Sequence, residues 1–194
     1  SYSNIGFGIL GLAISRAANR PFMELVNESI LKPLEMKNSG FTLTEEMTSH
    51  LADGYVIEMN GSANPEFPAL EHKGRGYKVP NGGIYSNVGD LGKFVAVLTG
   101  CSPTGILSSE SRTEIQKIQT PETGDFGYGL GLRIESDERS KIIGHGGSVA
   151  GYNAAMSICP SSEAGVTLLR NYDKSDLNLK ELSKALLQNL VDQF

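Results

Sequence analysis

Beyond Pro121 the chain changes texture, and that change limits its fold more than any other feature. Three stretches, Tyr128–Ile134, Tyr152–Ile158 and Gly165–Arg170, read as strands, separated by turn-rich segments such as Ser136–Ser140 and Pro160–Ala164. The last stretch, Asp176–Val191, spaces Leu177, Leu182, Leu186, Leu187, Leu190 and Val191 as a helix does. An antiparallel meander closed by a helix is therefore expected over about 121–194. About 1–120 reads instead as helical and irregular. Ile5–Ala18 places apolar residues at 5, 9, 10, 12, 13, 14 and 17, which predicts a helix with a wide buried face. Gly6, Gly8 and Gly11 interrupt it and suggest close backbone approach to a neighbour. Pro21 suits the first turn of a second helix running to about Leu31, which Pro33 ends. From Gly40 to Gly83 the pattern is irregular, with one short strand around Tyr55–Met59. Asn87 reads as the N-cap of a helix that buries Leu91, Phe94, Val95 and Leu98 and closes at Gly100. A further helix is expected over Ser109–Gln119. The whole is an α+β pattern.

Composition excludes several classes of function. The 194 residues carry 17 Lys+Arg against 22 Asp+Glu, a formal charge of −5, which argues against a nucleic acid held through its phosphates. The longest apolar run, Ile5–Ile14, is about half a membrane span and is cut by Gly8 and Gly11, so no membrane-spanning helix is expected. Cys101 and Cys159 are far apart and form no CxxC motif. They could pair or stay free. The chain opens on Ser1 without a charged, then apolar leader, so either a leader was removed or a longer protein continues upstream.

Some motifs dissolve on inspection. Gly6-Phe7-Gly8-Ile9-Leu10-Gly11 matches GxGxxG, but that fingerprint must follow a strand and only five residues precede it. Helix packing is the better reading. Gly144–Gly151 is glycine-rich but lacks the GK[ST] of a phosphate loop. His50, His72 and His145 show neither HxH nor HExxH spacing, so neither a metal nor a cofactor is implied. His72, Lys73, Arg75 and Lys78 read as a solvated basic loop. Asn27-Glu28-Ser29 and Asn60-Gly61-Ser62 fit a glycosylation sequon too short to weigh much.

Two constellations carry chemistry. Tyr2-Ser3-Asn4 precedes the glycine-interrupted helix, where a Tyr and an Asn two residues apart can point into one pocket. The Tyr can take a proton from a nucleophile, and the Asn can hold a substrate amide with both donor and acceptor. The tripeptide recurs as Tyr85-Ser86-Asn87, where Asn87 already has a capping role. The second constellation, Gly144-His145-Gly146-Gly147-Ser148, leads toward the strand near Tyr152 and sets an imidazole beside glycines at a strand edge. There a substrate backbone can lie close. A histidine in a glycine turn is the plainer alternative.

In this order and spacing the pieces resemble the C-terminal part of the penicillin-recognising serine hydrolases, the family of class C β-lactamase, D-alanyl-D-alanine carboxypeptidase and related esterases. Tyr2-Ser3-Asn4 with Gly8-Ile9-Leu10-Gly11 looks like the family's Tyr-x-Asn motif and its helix. Ile30-Leu31-Lys32-Pro33-Leu34-Glu35-Met36 looks like I-x-x-P-L-G-M, with Glu35 in place of the usual Gly. Gly82-Gly83-Ile84-Tyr85-Ser86-Asn87-Val88-Gly89-Asp90-Leu91 is similar to G-G-x-x-S-T-x-x-D-L. Tyr128-Gly129-Leu130-Gly131-Leu132 and Gly144-His145-Gly146-Gly147 complete the set, the latter matching the third motif, Lys-Thr-Gly in β-lactamases and often His-x-Gly in the peptidase and esterase branch.

The resemblance implies the β-lactamase/transpeptidase-like fold, an antiparallel sheet flanked by helices beside a helical subdomain. Residues 1–194 would form the C-terminal part of one such domain, incomplete at the N-terminus. It implies acyl transfer through a serine ester on a small-molecule or peptide substrate, cleaving a peptide, lactam or ester bond. Tyr2 would serve as general base and later acid, Asn4 would position substrate, and His145 would assist electrostatically. Gly146, Gly147 and Ser148 would bind substrate, the Ser148 N–H sharing an oxyanion hole with the nucleophile's own N–H. His145 in place of Lys points away from β-lactamase.

In the family a Ser-x-x-Lys motif supplies the nucleophile upstream of Tyr-x-Asn. The one match here, Ser29-Ile30-Leu31-Lys32, lies at a helix C-terminus, where the dipole has the wrong sign for a developing oxyanion. The serine is therefore expected on a missing N-terminal segment, which would also cover apolar surface on Ile5–Ala18 and on the terminal helix. A non-catalytic ligand-binding relative that has lost the nucleophile is the alternative. The compartment stays open, extracellular or periplasmic placement being suggested by the family alone.

Overall fold

The structure, a computed structural model, describes residues 2–124, 126–136 and 140–193. They fall into two compact units, one of Ser1–Asp90, Ser148–Tyr152 and Asn171–Lys174, the other of Leu91–Gly147, Asn153–Arg170 and Ser175–Phe194.

In the first unit, Ser3 starts helix α1 (Asn4–Ala18) by leaving the helical region (φ −146°, ψ 115°) and accepting the Gly6 amide on its Oγ at 3.0 Å. The glycines do what their spacing suggests. A Cβ on Gly11 would lie 2.3 Å from Pro80 Cγ, and one on Gly8 would lie 3.0 Å from the Tyr77 carbonyl oxygen. The GxGxxG match is thus a helix-packing surface. The expected wide buried face of α1 is not seen, since Ile5 is 64% and Ile9 63% exposed and Leu12 is exposed too. Only the glycine side of the helix meets neighbours among the described residues; Gly11 is its one buried residue.

Pro21 caps α2 (Phe22–Val26), which runs on as a π-helical turn over Asn27–Leu31 and buries Leu31, Leu34 and Met36 behind it. The irregular stretch contains α3 (Glu45–Ser49), the hairpin β1 (Val56–Ile57) with β2 (Ala63–Asn64), α4 (Glu66–Glu71) and α5 (Val79–Gly82). The expected strand at Tyr55–Met59 is therefore present but only two residues long. Asn87 Oδ1 accepts the Asp90 amide at 2.9 Å and so caps α6 (Val88–Thr99), as its position suggests. Asp90 is only 3% exposed, and its Oδ2 accepts the Asn38 amide at 2.8 Å and the Ser39 hydroxyl at 2.9 Å.

The second unit is built on a six-stranded antiparallel sheet whose order follows the chain: β3 (Thr120–Pro121), β4 (Phe126–Tyr128), β5 (Arg133–Ser136), β6 (Lys141–Val149), β7 (Tyr152–Cys159) and β8 (Ala164–Arg170). The register Gly127–Ile134–Ile143 sets one apolar row, and Ile134, Ile143 and Ile158 are fully buried with Leu98 of α6 and Leu132. Burying each isoleucine is worth about 2 kcal/mol. Ile115 of α7 (Ser109–Ile115) packs on the same cluster. α8 (Leu179–Val191) packs along the sheet, with the Ser157 and Ser183 hydroxyls 2.8 Å apart, Lys184 paired with Glu135, and Leu187 buried.

Three local expectations are corrected. Tyr128–Ile134 is two strands, because Gly129 donates its amide to the Leu132 carbonyl (2.8 Å) and Gly131 adopts φ +88°, which turns the chain. The helix expected to reach Gln119 stops at Ile115, since the Gln119 amide is drawn into the sheet by the Tyr128 carbonyl (2.9 Å). Gly144–Ser148 is neither a turn nor an approach to a strand but lies inside β6. Within the expected turn Ser136–Ser140, residues 137–139 lie outside the described residues. Cys101 is exposed, Cys159 is buried, and both are free thiols.

Candidate active site

At the head of α1, Tyr2 is 42% exposed and its ring lies 5.7 Å from that of Phe7, tilted by 40°. Asn4 is the first helical residue and exposed, and its carbonyl accepts Asn81 Nδ2 at 3.1 Å, anchoring the helix start to α5. Tyr2 and Asn4 therefore flank the Ser3 cap, two side chains held at the end of a rigid element. The second copy of the tripeptide is spent differently. Asn87 caps α6, and the half-buried Tyr85 has its phenol pushed above the ordinary range by burial, which unsuits it as a base near neutral pH.

His145 sits in the middle of β6, half-buried, its ring 6.0 Å from Tyr128 in an edge-to-face arrangement of 84°. Burial lowers its pKa below the usual imidazole value, and the charges of Arg133 and Lys180 lower it further, against an opposing backbone hydrogen bond with Gly146. Both effects disfavour the charged imidazolium. Arg133 and Lys180 belong to no motif in the sequence, and Tyr128 enters only as the first residue of a glycine-rich one. The repeated glycines hid the strand, and with it the neighbours that a strand brings.

The glycines of β6 divide by role. A Cβ on Gly144 would lie 2.0 Å from the Met156 carbonyl oxygen, so only glycine fits that crossing of β6 and β7. Gly146 is tight, with the Ala154 backbone oxygen 3.3 Å from its Cβ position, whereas Gly147 has nothing within 4 Å. Gly147 and Ser148 are exposed. Beside His145 the strand thus leaves bare backbone to which another chain can add. Tyr2, Asn4 and Ser148 belong to the first unit, and His145, Gly146 and Gly147 to the second.

Ser29 lies in the π-helical turn that ends α2, and Lys32 Nζ is 2.5 Å from Glu28 Oε1, so this lysine serves an ion pair on its own helix face. Among the described residues no group of three or more His, Cys, Asp or Glu could hold a metal ion, and no helix is long and apolar enough to cross a membrane.

The family model described as Beta-lactamase matches residues 1–189. Beta-lactamase-like protein 2 of Dictyostelium discoideum is 27% identical over 190 residues, 96% of this chain and 34% of its own length. The octameric penicillin-binding protein homologue from Pyrococcus abyssi superposes with a TM-score of 0.83 at 27% identity, over 98% of this chain and 42% of that one. A class C beta-lactamase in complex with cefoxitin shares the fold at a TM-score of 0.79 and 16% identity, covering 97% of this chain and 58% of that one. The chain spans about a third of the length of the curated relative, and 42% and 58% of the two solved chains.

Proposed function

We propose that this chain, which belongs to the beta-lactamase family, forms the acid–base and substrate-binding part of a serine hydrolase that works through an acyl-enzyme. The family is of the serine hydrolase type, and the β-lactamase/transpeptidase-like fold is present. The nucleophilic serine stands on a segment N-terminal to these residues, in a Ser-x-x-Lys motif. The poor placement of Ser29 supports this, as does the fraction of each relative that the chain covers.

The observation that carries the reading is β6, where the half-buried His145 is followed by two glycines, the second open to solvent. The motif resemblance gives Gly146 and Gly147 the role of lining substrate backbone and gives Asn4 the role of holding a substrate amide. Tyr2 accepts the serine proton as the serine oxygen bonds to the substrate carbonyl carbon. It returns that proton to the leaving group as the scissile bond breaks. Water then repeats the sequence to free the acid. The Ser148 N–H, with that of the nucleophilic serine, stabilises the oxyanion. With its charged form disfavoured by burial, His145 helps as a hydrogen-bonding dipole more than as a positive charge. A lysine would supply that charge, so the histidine favours a peptide or ester over a lactam.

In the full-length protein, Tyr2→Phe should lower turnover of an ester or peptide substrate by about 10²–10⁴-fold. Tyr85→Phe should cost no more than about tenfold, since its phenol supports structure without carrying the proton. Equal losses in two folded variants would assign the wrong tyrosine. A wild type that binds such substrates without turning them over would make the chain a binding relative.

A further inference from the structure

A second polar cluster in the first unit lies outside the residues assigned so far. His72, just past the end of α4, has Nδ1 2.9 Å from the Tyr85 hydroxyl and Nε2 3.3 Å from the Tyr152 hydroxyl. Both tyrosine rings pack on the imidazole, with centroids at 5.6 and 5.9 Å. The Tyr152 hydroxyl is also 2.8 Å from the Ala52 carbonyl oxygen. With the imidazole in its neutral form, one arrangement of protons makes all three bonds. A carbonyl only accepts, so the single Tyr152 proton goes to Ala52. His72 must then donate to Tyr152 from Nε2. A neutral imidazole has no second proton, so its Nδ1 accepts from Tyr85.

The two ends of this array differ. Tyr85 is anchored, because its backbone exchanges two hydrogen bonds with Gly40, at 2.8 and 3.0 Å. Tyr152 begins β7 directly after the turn at Ala150 (φ +37°) and Gly151 (φ +82°), which ends β6 just past Ser148. That turn is seated closely: a Cβ on Gly151 would meet the Tyr55 amide nitrogen at 2.7 Å, and one on Gly54 would meet the Tyr152 ring at 2.4 Å.

We propose that His72 is a positioning residue, which ties Tyr152 to the anchored Tyr85 and so holds the Ala150–Gly151 turn and the Ser148 backbone N–H in place. The proposal rests on the reading of Ser148 as an oxyanion donor. Because that donor acts mainly in the transition state, a displaced Ser148 lowers kcat and leaves KM nearly unchanged. A role confined to stability would move the melting temperature and neither kinetic constant.

The test uses full-length protein. Long-range ¹H–¹⁵N spectra of His72 should show a protonated Nε2 and a bare Nδ1. The Ser148 amide resonance should shift in Tyr152→Phe, which keeps the ring against Gly54 and removes only the hydroxyl, and in His72→Phe. Against an ester substrate each variant should lose about tenfold in kcat with KM within about twofold, and the double variant should lose no more than the worse single one, since the residues act as a unit. An Nδ1–H tautomer, an unmoved Ser148 amide, or additive losses would overturn the proposal. If the wild type hydrolyses nothing, the serine hydrolase reading fails on its own, and the tautomer and the Ser148 amide still decide whether His72 holds the turn.

Discussion

Glu35 stands where the I-x-x-P-L-G-M motif that this segment resembles has glycine, and its backbone conformation is one that glycine adopts freely. At φ +52° it lies in the left-handed region, where a side chain costs about 1 kcal/mol or more. Glu35→Gly should therefore raise stability by roughly 1 kcal/mol, read as a higher urea midpoint with an unchanged slope. An unchanged or lower midpoint would show that the Glu35 side chain offsets its strain. The glycines of β6 make a sharper pair. Gly144→Ala must push on the Met156 carbonyl and should cost about 2 kcal/mol or more. Gly147→Ala meets nothing in the fold, so its melting temperature should hold while kcat/KM of the full-length protein falls about tenfold. Equal effects on melting and turnover in both variants would break the division between packing glycine and substrate glycine.

Strand β6 makes its own pH prediction. The His145 pKa is lowered in the fold, so between that lowered value and the ordinary 6.5 the unfolded chain binds the proton and the folded chain does not. Stability should fall as pH drops from above 6.5 toward the lowered value. His145→Gln should flatten that slope, measured as the difference between wild-type and variant urea midpoints at pH 7.5 and 5.5. Parallel curves would mean that His145 titrates as freely folded as unfolded. How much of each element was legible follows from the same chemistry. α1, the Asn87 cap, β7, β8 and α8 were readable because apolar spacing and capping residues mark them directly. β6 was not. Glycine at 144, 146 and 147 erases the alternation by which a half-buried strand is recognised. The short helices between Gly40 and Gly83 stayed hidden because a single turn of helix carries no periodicity. The candidate residues themselves were legible from motif order, whereas Tyr128, Arg133, Lys180 and the His72 array are brought to their places only by folding.

For the whole molecule, the function proposed above would draw acid–base chemistry, substrate strand and oxyanion donor from this chain and the attacking serine from a segment outside it. The exposed Ile5, Ile9 and Leu12 of α1 are an apolar stripe of the kind that such a segment would cover. The most direct test locates the acyl group. Full-length protein is mixed with a slowly deacylating ester or lactam, quenched in acid within the first turnover, and mapped by peptide mass spectrometry. One acylated serine is expected, in a Ser-x-x-Lys sequence N-terminal to Tyr2, with slower acylation in Tyr2→Phe. Acyl group on Ser29 or on any other serine of these 194 residues, or turnover with no acylated serine at all, would contradict it.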